Sequence, residues 1–170
     1  NNLTIKDYNI LLTSKDFYNI LPDGKTMIFQ TDSGFCKPNI HSKFLEYDYI
    51  GGPWRNTPLS LARAHISPPR GGLLVGNGGL SIRNPRLMEK IIETDPYDPN
   101  LNLPEDVYFS YNCKKINECK LAPLKLSKKF SIDGRINKYD ERHPVGFHKH
   151  YGFKFNNGIY DNDLFYKRLR

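Results

Sequence analysis

Lys25-Thr26-Met27-Ile28-Phe29-Gln30-Thr31-Asp32-Ser33 is the stretch on which the reading of this chain turns. The run from Lys25 to Thr31 follows a Pro22-Asp23-Gly24 turn, is apolar at its centre and stops at Asp32. It predicts a strand covered on both faces. Open α/β sheets bind ligands at the carboxyl ends of their strands, so Asp32 becomes the first candidate for chemistry. Upstream, Ser14 predicts the N-cap of a short helix from Lys15 to Leu21. Downstream, Tyr47 to Ile50 predicts a second strand that runs into Gly51-Gly52-Pro53-Trp54.

Further along, residues 55–72 are rich in Pro, Arg and Gly and predict an irregular loop, long enough for a lid or an acceptor-facing element. Gly76-Asn77-Gly78-Gly79 predicts a turn before a short strand from Leu80 to Arg83. Asn84-Pro85 and Pro104 each open a helix, to about Glu93 and Lys115. Short strands are expected near Pro123 to Leu126, Phe130 to Ile132 and Val145 to Phe147, and a last helix from about Asp161.

The chain has 170 residues with 38% hydrophobic and 13% aromatic content, enough for one domain over 1–170 with a buried core. No run of 18 apolar residues is present, so no membrane-spanning helix is expected. The net charge of +7 is diffuse, and no aromatic-basic alternation accompanies it, which makes solvated lysines a better reading than nucleic-acid binding. Cys36, Cys113 and Cys119 form no C-x2-C pattern, and an odd count predicts a reducing, cytoplasmic compartment. A bridge between Cys113 and Cys119 remains open if the helix breaks between them. The start, Asn1-Asn2-Leu3-Thr4, carries neither an initiator Met nor a signal pattern, which predicts that the natural protein begins earlier. Abundant Asn, Lys, Ile and Tyr suggest an AT-rich genome, as in some large viruses or parasites.

Several groups are candidates for chemistry. Asp32, with Thr31 and Ser33, offers hard oxygens suited to Mg²⁺ or Mn²⁺ and to the phosphates of a donor nucleotide. A turn carboxylate is the bland alternative, and Asp48 ranks second for the role. His148 is a candidate metal or diphosphate ligand. In the vicinal pair Glu105-Asp106, successive helical side chains diverge by about 100°. Only one can face a site, and Asp106 is the favoured base. Asn77, Gly78 and Gly79 allow backbone amides to approach a sugar or phosphate. Trp54 suits stacking on a sugar or base, or equally packing in the core.

These segments occur in a fixed order: Phe29-Gln30-Thr31-Asp32-Ser33, Glu46-Tyr47-Asp48-Tyr49-Ile50-Gly51, Gly76-Asn77-Gly78-Gly79-Leu80-Ser81, Pro104-Glu105-Asp106-Val107, Lys129-Phe130-Ser131-Ile132-Asp133 and Gly146-Phe147-His148. From Tyr8 to His150 the set resembles a family of domains of unknown function grouped with GT-A-type glycosyltransferases. The resemblance implies a GT-A-like, Rossmann-related mixed sheet flanked by helices, here lacking the usual N-terminal nucleotide-binding β-α-β unit. The chain would then be the C-terminal part of a GT-A fold or a fragment of a longer one, with another domain or chain completing the donor site.

Its implied activity is metal-dependent, inverting transfer of a sugar from a UDP- or GDP-linked donor to a glycan or protein hydroxyl. By this similarity Asp32 takes the place of the last acid of a D-x-D motif, whose first acid is replaced by Gln30. Asp106 resembles the base of inverting transferases, and His148 resembles their late metal-binding histidine, with Mn²⁺ or Mg²⁺ as cofactor. Gly78-Gly79 resembles the glycine pair of the sugar pocket. The alternative is a truncated, non-catalytic carbohydrate-binding module.

Overall fold

The structure is a computed structural model that describes residues 3–133, 144–149, 155–156 and 159–160. The expected helix from Asp161 lies outside the described residues. The chain is mixed α/β, with two small three-stranded sheets flanked by helices.

The first sheet has β1 (Thr26–Phe29) and β3 (Tyr49–Pro53) on either side of β4 (Val75–Arg83), all antiparallel. All nine residues of β4 are buried. This corrects two expectations. The doubly covered strand is β4, whereas β1 is a half-buried edge strand whose Phe29 is 62% exposed. Gly76 to Gly79 are part of β4, not a turn before it. Glycines escape a hydrophobicity pattern, yet they let the strand approach its neighbours closely: a Cβ on Gly76 would strike the Ser110 side chain and one on Gly78 those of Glu105 and Asp106.

One face of this sheet packs on α2 (Lys15–Asn19), α4 (Pro85–Thr94) and α5 (Glu105–Lys115), with Tyr18, Met88, Ile91, Val107 and Phe109 gathered around Tyr49. Ser14 caps α2 as its sequence predicts, accepting a hydrogen bond from the Phe17 amide. On the other face Ile50, Leu80 and Ile82 meet Phe44, Ala122, Phe130 and Val145.

The second sheet is mixed. β2 (Ser33–Phe35) runs antiparallel to β6 (Gly146–His148), and β5 (Ser131–Asp133) runs parallel to it. Where strands were expected near Pro123, the chain forms α6 (Leu124–Phe130). Ser127 and Phe130 are its buried residues, and their i, i+3 spacing is helical. The 55–72 stretch holds a short helix, α3 (Leu59–Arg63), in otherwise irregular chain. β7 (Phe155–Asn156) and β8 (Ile159–Tyr160) form a separate antiparallel pair.

Before α2 stands α1 (Ile5–Leu12), which the sequence reading missed. Its N-cap is Thr4, whose hydroxyl oxygen accepts a 3.1 Å bond from the Asp7 amide. At the far end of α5 the chain turns extended at Ile116, and Cys113 pairs with Cys119 in a disulfide. The expectation of a reducing compartment, drawn from the cysteine pattern, loses its basis once two of the three thiols are joined. Among the described residues no helix is long and apolar enough to cross a membrane.

Candidate functional site

The site is built around an irregularity in β4. One step along β3, from Gly51 to Gly52, is matched by a jump on β4 from Ser81 to Asn77. Gly78, Gly79 and Leu80 therefore bulge out of register with β3, a device that re-aims backbone groups beside a cleft. On the opposite edge, the Gly79 carbonyl accepts from the Gln30 amide at 2.8 Å and from the Ser33 hydroxyl at 2.6 Å. The bulge thus ties the end of β1 and the start of β2 to the centre of the sheet.

Two glycines of the bulge are required by contact. A Cβ on Gly79 would overlap the His148 ring. One on Gly78 would strike Glu105, Asp106 and Arg83, the nearest atoms lying between 2.6 and 2.8 Å away. The imidazole therefore lies directly on the β4 backbone, and the first turn of α5 lies on its other side.

His148 is 4% exposed and carries a partner on each ring nitrogen. Its Nδ1 is 2.8 Å from Asp133 Oδ1, and its Nε2 is 2.7 Å from Gln30 Oε1 and 3.3 Å from Asp32 Oδ1. The Asp32 carbonyl in turn accepts from the Lys149 amide at 3.2 Å.

Asp106 lines the cleft, half-buried, at the N-terminal turn of α5. Its Oδ2 accepts from the Gly78 amide at 3.0 Å and its Oδ1 from the Val107 amide at 2.8 Å. Burial, and then the neighbouring Glu105 charge, push its acid constant up to about 6, against the opposing pull of those two amides and Arg83. A carboxyl poised there can exchange a proton near neutral pH.

Glu105 borders the same cleft, but its carboxylate is buried against Arg83. Both its oxygens are held by Arg83, at 2.6 and 3.0 Å, in a pair fully withdrawn from water, while its own amide donates to Asn9 Oδ1 at 3.2 Å. Of the two candidate carboxylates, Glu105 is thus committed through both oxygens to the ion pair, whereas Asp106 is held by backbone amides.

Asp32, Thr31, Asn77, Gly79, Asp106 and His148 meet in one cleft of about 840 Å³. The wall opposite is α1, through Ile5, Tyr8, Leu11 and Leu12, with Phe17 and Phe29 beside it. Ser33 and Gly78 act from behind the wall, through the hydroxyl and amide already described. Trp54 is elsewhere: it packs partly buried on the larger core cluster, and its amide donates to the Leu74 carbonyl at 2.9 Å. Asp48 is also remote from the cleft and binds Lys25, Asn84 and the Lys120 amide. Burial raises its acid constant, but those hydrogen bonds outweigh burial and hold it below the usual carboxylate range.

The sequence reading did not nominate Tyr8, Arg83 or Asp133, and it treated Gln30 as a lost acid. Tyr8 carries a buried hydroxyl near Gln30 that lacks a hydrogen bond of good geometry. The donors around His148 Nε2 are one imidazole nitrogen, one carboxylate and one amide oxygen. The two oxygens are hard donors and the imidazole nitrogen a borderline one, a set whose chemistry is compatible with a divalent cation. Among the described residues no group of three or more His, Cys, Asp and Glu side chains forms a cage of its own.

No curated protein and no solved structure matches the chain. The family described as Protein of unknown function (DUF5672) matches residues 2–148, a span that begins just before α1 and closes on His148 itself, and the chain belongs to that family.

Proposed function

We propose that this chain is a GT-A-like glycosyltransferase domain that transfers a sugar, with inversion, from a nucleotide-sugar donor to a glycan or protein hydroxyl. The observation that carries the reading is the convergence of Asp32, His148 and Asp106 on one cleft from three distant parts of the chain. Their order and motifs are those on which the resemblance rests.

In this reading Asp106 takes the proton from the acceptor hydroxyl. The acceptor oxygen bonds to the anomeric carbon as the carbon–oxygen bond to phosphate breaks on the opposite face. The electron pair leaves with the nucleoside diphosphate. The Gly78 and Val107 amides fix the carboxylate and leave each oxygen a further lone pair for the acceptor. His148 Nε2, Asp32 and Gln30 face the diphosphate end, with exposed Lys149 at the cleft wall. A Mn²⁺ or Mg²⁺ ion held by Asp32 and His148 supplies charge neutralisation of the diphosphate when bound.

Calorimetric titration of UDP and GDP into the chain, with Mn²⁺ and then with EDTA, tests the reading. Metal-dependent binding that is lost in Asp32→Ala is expected. Binding of free sugars, with no response to nucleotide or metal, would replace it with a non-catalytic carbohydrate-binding module. That second reading draws on Gln30, an amide where the resembling enzymes carry an acid, already engaged with His148.

A further inference from the structure

We infer that Asp133 is a positioning residue for His148: its carboxylate keeps a proton on Nδ1 and so presents Nε2, with Asp32 and Gln30, to the cleft. The inference rests on the proposed reading only for what Nε2 is used for.

The placement comes from the backbone. β5 and β6 run parallel, with Asp133 level with His148 in the register, so the two side chains stand beside each other. Asp133 Oδ1 is 2.8 Å from Nδ1. An ionised carboxylate only accepts hydrogen bonds, so the proton at this contact belongs to the ring. The ring is buried and its face lies on Gly79, which leaves little room to turn over and exchange the two nitrogens.

Nε2 has different company. Gln30 places an amide at 2.7 Å, and an amide can offer its oxygen or, turned over, its NH₂ group. Gln30 therefore accommodates a protonated or an unprotonated Nε2 and dictates neither. Asp133 is the group that dictates. Without its carboxylate, the neutral ring gains by moving its proton to Nε2, where the Gln30 oxygen and Asp32 both accept. That tautomer has no lone pair to give to a cation or to a donor group of a ligand. A carboxylate behind an imidazole is also the usual arrangement by which proteins orient a histidine ligand and raise its basicity.

Asp133 sits in a segment, Lys129-Phe130-Ser131-Ile132-Asp133, that no other part of the proposed mechanism uses. The inference gives that segment a function: β5 carries the carboxylate that sets the chemistry of β6.

The test uses the whole chain with ¹⁵N-labelled histidine. Long-range proton–nitrogen correlation spectra are recorded at alkaline pH for wild type, Asp133→Ala and Asp133→Asn, with His148→Gln to assign the signal among five histidines. Wild type should show the His148 proton on Nδ1, and Asp133→Ala should move it to Nε2. Mn²⁺ titration followed by electron paramagnetic resonance should show binding about 10–100-fold weaker in Asp133→Ala. Asp133→Asn keeps the shape and one acceptor oxygen, and should fall between; it also gives the answer if the alanine variant does not fold.

A wild-type ring protonated on Nε2 would overturn the inference, as would an Asp133→Ala protein with unchanged tautomer and Mn²⁺ affinity. If wild type binds neither Mn²⁺ nor nucleotide yet its tautomer follows Asp133, the inference stands and the transferase reading fails.

Discussion

Arg83 and Glu105 face each other through two parallel contacts, Nη1 to Oε2 at 2.6 Å and Nη2 to Oε1 at 3.0 Å, in the centre of the molecule. The guanidinium also lies over the rings of Tyr49 and Phe109, 5.0 and 5.5 Å from their centroids, and donates to the Tyr18 hydroxyl at 3.2 Å. The pair fastens the end of β4 to the first residue of α5. The next residue, Asp106, inherits its position from that fastening.

Glu105→Gln keeps the shape but leaves Arg83 charged and uncompensated, so it should cost about 3–5 kcal/mol of unfolding free energy. Urea denaturation of the two proteins measures this. A loss under about 1 kcal/mol would mean that the pair is open to solvent.

Asp106 gives a pH dependence of defined sign. Its folded acid constant, about 6, lies above the ordinary value of 3.8, so between these the native state binds more protons and loses stability as pH rises. Asp106→Asn should therefore melt higher than wild type above pH 6, with the difference shrinking towards pH 4, and should have little transferase activity. In wild type, turnover should rise with pH through about 6 as the base ionises. Melting curves and rate–pH profiles across that range check both statements.

Gly79→Ala places a methyl group where the His148 ring lies. The cost of overpacking is about 1–3 kcal/mol, and the ring must shift off the backbone. Nucleotide affinity should drop while the fold survives, which thermal melting and calorimetry together distinguish. An alanine variant with wild-type affinity would show that the close approach has no bearing on the cleft.

Reducing the Cys113–Cys119 bridge, which spans six positions, should lower stability by about 2–3 kcal/mol through the entropy regained by the unfolded chain. The cleft is at the other end of α5, so nucleotide affinity should not change. Melting with and without dithiothreitol, compared with Cys113→Ser/Cys119→Ser, measures the effect.

Much of the local structure was legible. Pro104 and Lys115 bound α5 as expected, and Ser14 announces α2. Thr4 and Asp7 form an equally plain start signal for α1, three residues apart, which the reading passed over. α6 was misread because Leu124, Leu126 and Phe130 alternate nearly as a strand would, while its burial follows Ser127 and Phe130. At the site, Asp32, Asp106 and His148 stood out by chemistry and flanking pattern. Asp133 and Arg83 could not, because what distinguishes them is a partner far away in sequence. Pairing Asp133 with His148 requires knowing that β5 lies parallel beside β6, and no spacing reveals that. Glu105 and Asp106 are adjacent carboxylates whose opposite fates are set by which side of the helix meets Arg83.

The cleft joins two kinds of wall. On one side, chemistry-bearing groups are fixed by β4, α5 and the second sheet, where most changes disturb the core. On the other, α1 offers Ile5 at 82% exposure and Leu11 at 42%. Exchanges at such positions leave stability almost untouched, within about 0.5 kcal/mol. In the proposed reading, selectivity and reactivity are thus separable: the range of molecules admitted would be re-tailored on one face of one helix while Asp32, Asp106 and His148 stay as they are.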